Sequence, residues 1–99
     1  LFQGKRLVTR GIADTIPSEV QMFLWSLLDE LVAKTPEEVD YLQVFEFSSE
    51  NGKQTIIHRQ ENPPYQAVYQ FDKVGNPSQH KIYVIDDVEH CTMLLSNEY

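Results

Sequence analysis

Only one stretch of this chain repeats its apolar residues at a helical period over several turns, and the rest of the chain has to pack against it. In Pro17 to Lys34, PSEVQMFLWSLLDELVAK, the residues Val20, Phe23, Leu24, Leu27, Leu28 and Leu31 fall at i, i+3, i+4, i+7, i+8 and i+11. At about 100° per residue they share one side. Trp25 and Val32 widen that stripe, while Glu19, Ser26, Asp29, Glu30 and Lys34 lie opposite it. Pro17 suits the first helical position, where a missing N–H costs nothing, and Glu19 sets negative charge near the positive end of the helix dipole. Lys34 favours the other end, and Pro36 biases Thr35 away from helical angles. The spacing predicts a helix over Pro17 to Lys34 with its aromatic residues and Met22 in the core. Burying six such side chains contributes about 9 to 18 kcal/mol before conformational entropy is set against it. A facing surface is therefore required.

That surface is read from the remaining segments. Lys5 to Arg10, KRLVTR, forms a short first strand, and Gly11 to Ile16 connects it to the helix, with Asp14 or Thr15 available to satisfy amides at the helix start. Thr35, Pro36, Glu37 and Glu38 match a capping box and allow a short helical turn through Val39. From Tyr41 the period becomes two. YLQVFEF sets Tyr41, Gln43, Phe45 and Phe47 on one face, with Leu42, Val44 and Glu46 on the other. Glu50, Asn51 and Gly52 supply a hairpin turn, and Lys53 to Gln60 is the return strand. Pro63 and Pro64 stop it. Ala67, Tyr69 and Phe71 alternate with Gln66, Val68 and Gln70 in a further strand, and Gly75, Asn76 and Pro77 make the next turn. Lys81 to Ile85 reads as a central strand covered on both faces, and His90 to Leu95 closes the series. The tail Ser96 to Tyr99 is expected to be loosely held.

These elements describe an α+β domain spanning residues 1–99: one long amphipathic helix on a five- to six-stranded, largely antiparallel twisted sheet, ordered strand, helix, then meander. The face away from the helix is expected to carry residues such as Gln54, His58, Gln66 and Gln70. Ninety-nine residues allow one modest core, and 41% hydrophobic content argues for a folded chain. No apolar run approaches the roughly 20 residues of a membrane span. LFQGKRLVTR lacks the apolar centre of a signal peptide, and Leu1 to Gly4 carry no weight in the reading. A single Cys91 cannot form an internal disulfide, so the cytoplasm is the default compartment.

A net charge of -7 disfavours the attraction to phosphate backbones that supplies most nucleic-acid affinity, despite the cluster Lys5, Arg6 and Arg10. No phosphate-binding glycine loop, paired-cysteine zinc motif, HExxH or GxSxG occurs. No catalytic residue, metal site or cofactor is assigned. Asp86, Asp87, Glu89 and His90 have donor types that suit a divalent ion, but neighbouring strand residues point to opposite faces and the turn serves equally to bond its own amides. Cys91 beside His90 faces the same geometric objection as a nucleophile and base, leaving only His58 or His80 to serve from another strand. Tyr65 and Tyr69 are binding candidates because their rings combine an apolar body with a polar tip. An unpaired edge strand offers a second route, by accepting a strand from a partner or another copy.

The ends VTRGIADTIPSEVQMFLWSLLDEL and KIYVIDDVEHCTMLLSNEY resemble a small bacterial family known as a Staphylococcal protein of unknown function. The family pattern corresponds here to Thr9 to Ile12, Ile16 to Trp25 and Ile85 to Leu94. This resemblance implies a cytosolic bacterial protein and transfers no functional residue. The resulting expectation is a non-enzymatic binding or regulatory domain acting through a protein partner or a homodimer. The alternative is a small-molecule or metal-dependent enzyme with a pocket of about 300 Å³ or more between helix and sheet.

Overall fold

The long helix is present and meets the sheet along its apolar stripe. In the computed structural model, which describes residues 1–72 and 79–99, the elements are β1 (Lys5–Val8), α1 (Arg10–Thr15), α2 (Ser18–Lys34), β2 (Leu42–Glu50), β3 (Lys53–Gln60), β4 (Tyr65–Asp72), β5 (His80–Asp86) and β6 (His90–Leu95). A 3-10 turn, Ser96–Glu98, follows. The expected turn at Gly75, Asn76 and Pro77 lies outside the described residues.

On α2, Leu24, Trp25, Leu27, Leu28 and Leu31 are buried, while Val20, Phe23 and Val32 are partly buried against the same core. Met22 departs from expectation, being 70% exposed. It lies well off the centre of the stripe, a position that composition alone conceals. Pro17 sits one residue before the helix, and no side chain caps the start. Asp14 instead lies 3.9 Å from Arg10, and the Gln21 side-chain amide donates to the Ile16 carbonyl at 2.8 Å. Thr35 closes α2 by donating its hydroxyl to the Leu31 carbonyl at 3.1 Å. The residues after it form a turn joined by Glu38 N–H to the Thr35 carbonyl at 2.9 Å, with no new helix.

The sheet order is β1-β6-β5-β2-β3-β4. Hairpins join β2, β3 and β4, but β5 returns to pair with the far side of β2, so the sheet is not a simple meander. Among the described residues β1 with β6 is the one parallel pair; the other pairs are antiparallel. Asn51 and Gly52, with φ of 51° and 78°, supply the left-handed backbone that the tight β2–β3 turn needs. Registry decides the faces. Phe45 pairs with Ile82 on one side and His58 on the other, so Gln43, Phe45, Phe47, Ile56, His58, Ile82 and Val84 share the helix-facing side. Gln54 and His58 therefore lie under the helix, opposite to Gln66 and Gln70, because Gln54 pairs with Phe71 and His58 with Ala67. β5 is covered fully on one side only: Ile82 and Val84 are buried, Tyr83 and Ile85 half-buried.

The first strand stops at Val8, and the segment expected to be a connection is the helix α1. Thr9 caps it, its hydroxyl oxygen accepting from Ile12 N–H at 3.3 Å and its own O–H donating to the Glu98 carboxylate at 2.6 Å. Glu98 also accepts from Gly11 N–H at 3.1 Å and Leu95 N–H at 2.9 Å. The Thr9 hydroxyl, then the Leu95 amide, hold its carboxyl below the usual range. The tail is thus pinned to α1, and Tyr99 packs edge-on against Tyr83. The N-terminus is also built in: Phe2 is buried, and its N–H donates to the Asp86 carboxylate at 2.9 Å.

Candidate functional site

The sequence-derived site residues fall into two separate groups. Asp86, Asp87, Glu89 and His90 form the β5–β6 turn, whereas Tyr65 and Tyr69 lie on β4 with β2 and β3 between them and β5. In the turn, the Asp86 carboxylate accepts from Phe2 N–H and, at 3.3 Å, from Val88 N–H. Asp87 accepts from His90 N–H at 2.7 Å, with the His90 ring nitrogen 3.6 Å away. Its carboxylates hold backbone amides in place. Among the described residues no group of three or more His, Cys, Asp or Glu is arranged to hold a metal ion.

Cys91 is buried under the sheet, its thiol 3.5 Å from the Gly4 carbonyl, and burial pushes its pKa up. A thiol kept protonated is a poor nucleophile. The histidines do not assemble around it. His58 lies on β3, His80 opens β5 against the Phe47 ring, and His90 opens β6 facing away from Cys91.

His58 belongs to a buried polar chain that the sequence reading missed. Its Nε2 donates to Gln43 Oε1 at 2.7 Å, because the Gln43 amide nitrogen already donates to Gln60 Oε1 at 2.7 Å and to the Asp40 carbonyl at 2.9 Å. Gln60 donates to the carbonyls of Glu38 and Pro63 at 2.7 and 2.9 Å and accepts from Asp40 N–H at 3.0 Å. The chain ties the α2–β2 loop and the β3–β4 loop to the sheet. His58 stacks on Phe45 at 4.4 Å, its Nδ1 has no hydrogen-bond partner among the described residues, and burial lowers its pKa to about 4. It is a neutral structural histidine. The signal for the chain was polar residues at helix-facing strand positions, visible only once registry is known.

Between α2 and the sheet, Ile12, Leu24, Leu28, Phe45, Ile82, Val84 and Met93 are fully buried and fill the space. A concave feature of about 250 Å³ lies elsewhere, lined by Lys34, Thr35, Pro36, Glu37 and Glu38 on the surface.

The remaining feature is β4 itself. Among the described residues it ends the sheet, pairing with β3 alone, in unbroken register from Lys53 opposite Asp72 to Gln60 opposite Tyr65. Its sequence YQAVYQFD has no proline, no glycine and no charge before Asp72. Tyr65 and Tyr69 are half-buried at its helix-facing margin, and Phe23 of α2 meets Tyr69 and Phe71 edge-on at 5.7 and 5.2 Å. Burial, then neighbouring Tyr65, raises the Tyr69 phenol pKa. Val68 and Phe71 remain 55% and 41% exposed.

A family model described as a Staphylococcal protein of unknown function matches residues 5–98. The chain belongs to this family. The Staphylococcal family of unknown function thus accounts for the resemblance at both ends of the sequence and extends it through β2 to β5. A crystal structure of a protein of unknown function from Enterococcus faecalis is similar, at a TM-score of 0.79 and 26% identity, over 97% of this chain and 91% of that one. A search of curated proteins found no match. This chain and the Enterococcus faecalis protein thus share the helix-on-sheet fold described above, and among the described residues no helix is long and apolar enough to cross a membrane.

Proposed function

We propose that this member of the family is a non-enzymatic binding or regulatory domain that acts through a protein partner or self-association, with the outer edge of β4 as its docking line. One observation carries the reading: an eight-residue edge strand free of the devices that normally block strand addition. Folded proteins blunt such edges with lysine, proline, bulges or short length, since unpaired N–H and C=O groups invite another strand. An added strand would gain main-chain hydrogen bonds along β4 and side-chain contacts with Val68 and Phe71, flanked by Tyr65 and Tyr69. The turn at Asp86, Asp87, Glu89 and His90 lies outside this line. The same reading puts the domain in the cytoplasm, where its free, buried Cys91 stays reduced.

The test is Val68→Lys, which places a charge on the exposed middle of the edge without touching the core. Wild type should retain a protein partner or self-associate, and the variant should lose that interaction with its melting temperature unchanged. A wild-type protein that is monomeric throughout, with a set of retained proteins identical to that of Val68→Lys, would overturn the reading.

A further inference from the structure

We infer that the strand accepted by β4 is the β4 of a second copy, antiparallel about a two-fold axis, with Val68 opposite Val68 of the partner subunit. The inference rests on the docking line proposed above and names its occupant.

The two edges of the sheet are treated differently by the sequence. β1 has four residues, opens with Lys5 and Arg6, and runs directly into Thr9 and α1. That edge is short and doubly charged. β4 is twice as long and uncharged from Tyr65 to Phe71. A chain with one blunted and one open edge forms a closed pair through the open one and cannot extend into a filament.

Registry then favours self-pairing. In an antiparallel ladder directly opposed side chains share a face, so two copies of β4 keep both helices on one side only if the opposed residue numbers sum to an even value. Of these registers, Val68 on the partner's Val68 opposes Tyr65 to Phe71, Gln66 to Gln70 and Ala67 to Tyr69. Aromatic thus meets aromatic, amide meets amide and valine meets valine, while small Ala67 leaves room for the opposed Tyr69 ring. Pro64, lacking an N–H, ends this ladder where the first copy's Tyr65 meets the partner's Phe71. Shifting by two residues sets Val68 against Gln66, with only Tyr65 to Tyr69 paired, or against Gln70, which brings the charged Asp72 into the ladder opposite Gln66.

Charge does not oppose this pairing locally. Each copy carries a formal -7, yet β4 contributes only Asp72, which lies beyond the paired residues and opposite Lys53 of β3. The joined strands would cover Val68 and Phe71, the exposed apolar side chains of the edge. One strand pair is a small interface, below the roughly 1,200 Å² of standard complexes, so the dimer should be weak and concentration-dependent.

The experiment combines native mass with disulfide trapping. Opposed residues have Cα atoms about 4.5 to 5.5 Å apart, within disulfide reach. Val68→Cys should therefore cross-link to itself on mild oxidation. Gln66→Cys should not, because Gln66 faces the partner's Gln70; the native Cys91 is buried and does not compete. Expected are a wild-type mass that rises from monomer towards dimer with concentration and cross-linking about tenfold faster for Val68→Cys than for Gln66→Cys. Equal rates for the two variants would overturn the register and with it the two-fold pairing. A monomeric wild type with neither variant cross-linking would overturn the second copy as occupant. If Val68→Lys still abolished retention of a different protein, strand addition at β4 would stand while this inference fell.

Discussion

His58 shows how one side chain can look functional in sequence and be structural in the fold. Its ring is enclosed by Phe45 and Tyr65, and the groups it meets, Gln43 foremost, are neutral. Burial lowers its pKa from 6.5 to about 4. The unfolded chain consequently takes up a proton first as pH falls. Stability linked to His58 is present in full above about pH 6.5 and is lost as pH falls towards about 4, a loss of about 3 kcal/mol. Denaturant unfolding of wild type and His58→Gln over that range checks the sign: the variant's stability should fall less by about that amount. Parallel curves would remove the role given to His58. The sequence placed this residue on the solvent side because Thr55, Ile56 and Ile57 interrupt simple alternation on β3. Only pairing with Phe45 settles its face. Asp86 and Asp87 were legible as turn carboxylates, but the Phe2 N–H as the donor to Asp86 was not, since that contact spans nearly the whole chain.

At the scale of elements, α2 was legible because its signal is periodic and repeated over four turns, and its observed span differs from the expected one by one residue. α1 was not. Its six residues bury Ile12 alone, and its start depends on Thr9 held by Glu98 from the far end of the chain. Local propensity carries no trace of such a bond. The strands were found where alternation was clean, while their order was not, because pairing β5 with β2 is a tertiary preference. The packing of α2 makes a direct prediction. Leu28 is fully buried against the sheet, so Leu28→Ala should cost about 2 to 5 kcal/mol in chemical denaturation. Met22→Lys, at the exposed position, should change stability by no more than about 0.5 kcal/mol. Similar losses for both would contradict the assignment of the buried face.

For the molecule as a whole, the described residues show a packed helix–sheet contact and an open β4 edge, which direct attention outward. Among the described residues, helix and sheet share their buried space between apolar side chains and the neutral His58–Gln43–Gln60 chain, and the titratable groups suspected of chemistry are dispersed or committed to backbone amides. β4 is what the fold leaves unfinished, and the signal for it was an absence: no charge, proline or glycine from Tyr65 to Phe71. That absence gains meaning only after topology places the strand at the rim, which is why Tyr65 and Tyr69 could be singled out before the edge itself could. Amide hydrogen exchange along Tyr65 to Asp72, followed as protein concentration rises from about 10 to 500 µM, tests this most directly, because a small interface should form within that range. Self-pairing predicts that alternate β4 amides gain protection with concentration while Lys5 to Val8 stay unchanged; β4 exchange that is independent of concentration would contradict it.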